Sequence, residues 1–85
     1  MPELCRFHGL VITMYHNEHG APHFHVRYAA FRAKIEIDGE RVHGALPRKV
    51  LGLALDWGRL HRADLLENWR RALGGAPLVR ILPLE

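Results

Sequence analysis

Four histidines, His16, His19, His23 and His25, fall within ten consecutive residues of a chain that has seven in all. An unperturbed imidazole titrates near pH ~6.5, so such a cluster can take up and release protons around neutrality. His23, His25 and Arg27 stand at alternate positions of the segment His23-Phe24-His25-Val26-Arg27-Tyr28. On an extended strand, residues so placed share one face at spacings of roughly 6–7 Å. Two imidazoles can then work as general base and general acid while a guanidinium clamps a phosphate, which is the equipment of metal-free phosphodiester cleavage. The sequence therefore nominates His23 and His25 as catalytic residues of a metal-independent ribonuclease. Arg27, with Arg32 and Lys34 on the next segment, becomes a nucleic-acid or anion-binding face. Arg48 and Lys49 join that set because cations in the first turn of a helix are disfavoured by its dipole unless something negative binds there. Against this stands a plainer alternative, in which all of these side chains are solvated polar residues with no task beyond reaching water.

Metal binding competes for the same residues. His19, His23 and His25 could offer three nitrogen ligands to zinc or copper. No carboxylate or thiolate stands at convincing ligand spacing, since Glu18 is only a loop neighbour and Cys5 lies in the N-terminal segment. The expectation is accordingly no metal and no cofactor. Nucleophilic triads, phosphate-cradling glycine loops and EF-hand loops are missing from the sequence as well.

The elements that must position these residues follow from periodicity. Leu10 to Tyr15 is a β-branched apolar run that ends in the turn formers His16 to Pro22, a first strand and a long hairpin loop. His23 to Tyr28 alternates, with Phe24, Val26 and Tyr28 on the opposite face from the histidines. Phe31 to Ile37 repeats the pattern with Arg32, Lys34 and Glu36 as its polar set. Asp38-Gly39 predicts a two-residue type I′ turn into a short fourth strand, Glu40 to His43. The exposed apolar face of such a meander needs a cover. Val50, Leu53, Ala54, Trp57 and Leu60 recur at helical spacing after Pro47, and His61 fits as the end of that helix. Asp64 to Glu67 reads as a capping-box variant that restarts a helix carrying Leu65, Leu66, Trp69 and Leu73, although one bent helix fits the same pattern. Gly74-Gly75 and Pro77 stop it, and Leu78 to Leu82 is left as a candidate edge strand that pairs within the chain or with a second copy. The class is α+β: an antiparallel four-stranded meander (ββββ) with two C-terminal helices on one face.

Composition bounds the rest. Eighty-five residues with 48% hydrophobic and 25% charged side chains suffice for one core, so residues 1–85 are expected to form a single domain, with strands at about 9–44, helices at 47–73 and a tail at 76–85. One cysteine, Cys5, excludes an intramolecular disulfide and makes a small buried hydrophobe of that side chain. No stretch has the length or flanks of a membrane span or signal peptide. The expectation is a cytoplasmic protein with no membrane partner. A net charge of +3 with neutral histidines leans toward a polyanion or an acidic protein.

Several runs together resemble a known family. Arg6-Phe7-His8-Gly9, Tyr15-His16-Asn17-Glu18-His19, Pro22-His23-Phe24-His25-Val26-Arg27-Tyr28, Leu46-Pro47-Arg48-Lys49, Asp56-Trp57 with Leu60-His61, and Leu65-Leu66-Glu67-Asn68-Trp69 are similar to the prokaryotic domain-of-unknown-function family 4160. Pro-His-Phe-His-Val is the most distinctive of these motifs. Gly52 and Gly58 depart from the family's usual helix formers in the first helix. The resemblance implies a component of a toxin-antitoxin-like two-gene module with a cognate small partner protein. The leading expectation is binding or cleavage of RNA through the His/Arg-lined face. The alternatives are a non-enzymatic module that binds or regulates with its partner protein, and a histidine-based metal-binding domain.

Overall fold

Strict alternation makes His23 to Tyr28 the central strand of the molecule. The computed structural model describes residues 3–85. Within them β1 (Glu3–Phe7), β2 (Leu10–Thr13), β3 (His23–Tyr28), β4 (Phe31–Glu36) and β5 (Val42–Ala45) precede helices α1 (Arg48–Leu60) and α2 (Arg62–Leu73). Every neighbouring pair is antiparallel, in the spatial order β1-β2-β3-β4-β5. This is the α+β meander with two C-terminal helices that the sequence predicts, with one more strand than the four read from its periodicity. β1 escapes a period-two reading because its register shifts between Glu3 and Cys5, so that the adjacent Leu4 and Cys5 are both buried. A bulge of this kind breaks the alternation on which strand recognition depends.

The expected register of β3 holds. Phe24 and Val26 are each 1% exposed and stand opposite Ile35 and Ala33 of β4, while Val26 also faces Ile12 of β2. Trp57 of α1 packs its indole against Phe24 and Phe7, with ring centroids 5.7 Å and 5.9 Å away. Burying a side chain the size of Phe contributes about 1.5–3 kcal/mol, and a well-placed aromatic pair adds about 0.5–1.5 kcal/mol. Val50 and Ala54 complete the buried stripe of α1, and Leu65, Asn68, Trp69 and Ala72 are the buried residues of α2.

The two helices are separate and meet at His61. Its backbone (φ −109°, ψ 26°) leaves the helical region, closing α1 with a bond from its N–H to the Trp57 carbonyl at 3.0 Å and opening α2 by accepting from Leu65 at 2.9 Å. The second helix thus begins at Arg62, two residues before the expected cap, and Asp64 lies inside its first turn rather than capping it. The β4–β5 turn also differs from the two-residue prediction. Positive φ falls on Gly39 and Glu40 (80° and 55°) rather than on Asp38 and Gly39. Glu36 donates to the Arg41 carbonyl across the turn, so β5 starts at Val42.

The tail Leu78 to Leu82 reaches β1 through one backbone bond, Ile81 N–H to the Leu4 carbonyl at 2.9 Å. Side chains hold the rest of it. Asn68 donates to the Val79 carbonyl and accepts from the Val79 N–H, at 2.9 and 2.7 Å, and the Trp57 indole donates to the Leu82 carbonyl at 2.9 Å. Asn68 thereby does for the tail what a neighbouring strand would do. No helix among the described residues is long and apolar enough to cross a membrane.

Two predictions follow from the packing. Gly44 in β5 has φ 112°, and a Cβ there would stand 2.6 Å from the Arg32 carbonyl oxygen, whereas a Cβ on Gly52 in α1 would meet nothing within 4 Å. Denaturant unfolding should therefore show Gly44→Ala losing about 1–3 kcal/mol and Gly52→Ala gaining about 0.5–1 kcal/mol from its better helix propensity. Cys5 is 1% exposed, and burial pushes its thiol pKa up. A water-soluble thiol reagent should leave the native protein unmodified and label it fully in denaturant.

Candidate functional site

The face of the sheet turned away from the helices is built by the other half of the alternation. Cross-strand pairing places Thr13, His25, Lys34 and His43 in one row over β2 to β5, and Val11, Arg27, Arg32 and Ala45 in the next. With strands about 4.8 Å apart, His25 and His43 flank Lys34 at a separation of about 10 Å. A cavity of about 250 Å³ opens on these rows, lined among others by Tyr15, His25, Arg27, Arg32, Lys34 and His43. Arg27 and Arg32 are directly opposed and exposed. Like charges in that position destabilise a sheet by roughly 0.2–1 kcal/mol.

Most ion pairs lie away from this face. Arg59, Arg62, Arg70 and Arg71 are paired with Glu40, Asp38 and Glu67 around the helices and turns. Among the described residues, Arg27, Arg32 and Lys34 take part in no ion pair, which is also true of the scattered Arg41, Arg48 and Lys49, but only the first three converge on one cavity. Both histidines of the face are carboxylate-backed. His43 Nε2 lies 2.9 Å from Glu36 Oε2 and His25 Nε2 lies 2.8 Å from Glu18 Oε1. The His43 hydrogen bond holds the Glu36 carboxyl below its ordinary pKa.

His23 departs from the solvated position expected of it. It lies on the same side of the strand as His25, with ring centroids 5.2 Å apart, but only 2% of it is exposed. The Trp69 indole of α2 lies against it, tilted by 55° with ring centroids 4.9 Å apart, so the strand's first polar position is roofed by the second helix. Nδ1 of His23 lies 2.9 Å from the Ala21 carbonyl. A carbonyl can only accept, so Nδ1 carries the proton, and the buried Nε2 is left with no hydrogen-bond partner.

The β2–β3 loop brings in Glu18. Asn17 adopts φ 60°, a left-handed conformation that Asn tolerates better than most residues, and the turn at His16-Asn17 directs Glu18 back toward β3. Its Oε1 comes within 3.3 Å of His23 Nε2 as well as 2.8 Å of His25 Nε2. Burial works to raise the Glu18 pKa, but its interactions with His25 and His23 outweigh it, and the net shift is downward. Glu18, His23 and His25 form a group whose ligand atoms all lie within 4.8 Å of one another. His19 does not belong to that group, so the metal-ligand trio suggested by the sequence, His19, His23 and His25, is corrected by exchanging His19 for Glu18.

Other nominated residues lie apart. Arg48 and Lys49 are exposed in the first turn of α1, which contains no acidic residue, and they do not line the cavity. His16 anchors the loop instead, its Nε2 3.3 Å from the Ala76 carbonyl. Three contributors to the site, Tyr15, Glu18 and His43, escape the sequence reading. The alternation that marks His25 could have flagged His43 only once the β4–β5 register was known, and Glu18 carries no signal apart from its neighbour Asn17.

No curated protein and no solved structure matches this chain. The family described as Domain of unknown function (DUF4160) matches residues 9–70, from the start of β2 to the third turn of α2. That span contains both rows of the open face, the loop with Glu18 and the helix that roofs His23, and the chain belongs to the DUF4160 family.

Proposed function

We propose that the open face of the sheet binds the phosphate backbone of single-stranded RNA, and that the protein does so as one component of a toxin-antitoxin-like two-gene module. The observation that carries the binding is the unneutralised charge of Arg27, Arg32 and Lys34 around a cavity, in a molecule whose other arginines are largely paired. Protein folding alone gives no reason to oppose two arginines across a strand pair, whereas a phosphate between them would turn repulsion into two charge-assisted contacts. Tyr15, 37% exposed at the cavity, supplies an aromatic surface on which an unpaired base can stack. The module reading is supported by the family resemblance.

Binding is favoured over cleavage by the burial of His23. A general acid must reach its substrate within hydrogen-bond range, and the roofed His23 leaves His25 as the accessible imidazole of that pair. His43, about two strand spacings from His25, stands too far away to share a single phosphate with it.

Fluorescence anisotropy with a short single-stranded RNA, from 50 to 200 mM salt, tests the proposal. Three phosphate contacts predict a slope of log K against log salt of about −2. Arg27→Ala and Arg32→Ala should each weaken binding to all sequences alike and flatten the slope by about 0.7, while Arg70→Ala on the helix side should change nothing. A wild-type protein that ignores RNA and captures only the product of its neighbouring gene overturns this reading in favour of a protein-interaction module. A separate measurement isolates the like-charge pair. Arg32→Ala should leave thermal stability unchanged or raise it by about 0.2–1 kcal/mol, even as RNA affinity falls.

A further inference from the structure

The buried Nε2 of His23 has no role in phosphate binding and no hydrogen-bond partner, yet it is aimed at a carboxylate. Because Nδ1 donates to the Ala21 carbonyl, the neutral ring presents a bare lone pair at Nε2. Opposite it, 3.3 Å away, is Glu18 Oε1, which is also only an acceptor. Two acceptors held face to face at a water-excluded position repel one another unless a proton or a metal cation lies between them.

We propose that Glu18, His23 and His25 bind a divalent first-row transition-metal ion through His23 Nε2, His25 Nε2 and a Glu18 oxygen. Two imidazoles and one carboxylate are a donor set that such ions accept, with coordination positions left over for water or substrate. Metal–nitrogen and metal–oxygen bonds of about 2.1 Å place neighbouring ligand atoms roughly 2.9–3.4 Å apart. The 2.8 Å and 3.3 Å separations from Glu18 to the two histidines are close to that range.

The surroundings fit as well. Ligating histidines characteristically donate their other ring nitrogen to a carbonyl or carboxylate, which fixes the tautomer, and His23 does this through Ala21. Trp69 against His23 and Tyr15 against His25, each with ring centroids 4.9 Å away, wall two sides with aromatic surface. The Glu18 and His25 side chains, 26% and 29% exposed, leave the third side open for an ion to enter. Neutral His25 need only carry its proton on Nδ1 to free Nε2 as a ligand.

This inference goes beyond the RNA reading and is read out by the metal alone. Calorimetric titration of the metal-stripped full chain with Zn²⁺, and Co²⁺ titration followed by visible absorption, should each give one ion per chain at micromolar affinity or tighter. Glu18→Gln preserves shape and removes only the charge, so a folded variant should bind about 100-fold more weakly or worse, and His25→Ala should do the same. His43→Ala should bind as wild type. His23→Ala also unpacks Trp69, so its loss of binding counts only beside an unchanged circular dichroism spectrum. Failure of wild type to take up either ion stoichiometrically, or wild-type affinity in folded Glu18→Gln and His25→Ala, overturns the assignment.

Discussion

The two-sidedness of β3 is the constraint on which the rest of the molecule depends. Phe24 and Val26 point to one side and meet Trp57, Ile12, Ile35 and Ala33, and His25 and Arg27 are thereby committed to the other. A one-residue slip would send both histidines into the core and both apolar residues into water, exchanging several buried side chains at about 1.5–3 kcal/mol each. The hydrophobic face therefore fixes the polar one. Gly58 shows how closely it does so. A Cβ there would come 3.2 Å from the Phe24 ring, so a glycine lies where α1 passes over the strand.

Placement of charge gives the surface its division of labour. Carboxylates are spent on the helix arginines and on the histidines of the open face, through Glu18 and Glu36, and Arg27, Arg32 and Lys34 are left without them. Exposed pairs such as Arg62 with Asp38 contribute little to stability, about 0–1 kcal/mol. Their effect is larger on the potential of the surface, since they neutralise most of the helix-side arginines, Arg48 and Lys49 apart, while the cavity side keeps its positive charge. A net charge of only +3 thus conceals a face that is more basic than the whole.

At the other end of β3 the balance is between packing and polarity. Trp69 excludes water from His23, and in a dry position a polar atom without a partner costs about 1–3 kcal/mol. The loop swings Glu18 over the two histidines, which sets one carboxylate oxygen against that atom and links the open face to α2 through His23. His61, where α1 meets α2, has a second buried ring nitrogen without a partner. It faces no comparable group of ligands, and its backbone accounts for its position by ending one helix and starting the next.

The α+β class, the strand faces and the centre of each helix's apolar stripe were legible in the sequence, because each follows from local periodicity, whereas Leu60 and Leu73, assigned to the same stripes, are exposed because each lies at the last turn of its helix, beyond the sheet. Arg27, Arg32 and Lys34 were legible for the same reason: they alternate with residues that must be buried. β1 was not, since a bulge erased its period, and neither were the start of β5 at Val42 and the start of α2 at Arg62, which depend on backbone angles at Glu40 and His61. Periodicity assigns a side chain to a face but says nothing of what covers that face. Whether His23 was solvated, and whether Glu18 or His19 joined it, was decided only when α2 laid Trp69 over the strand and the left-handed turn at Asn17 brought the loop back. The first is a contact between residues distant in sequence and the second depends on one backbone angle in the loop, and strand periodicity encodes neither.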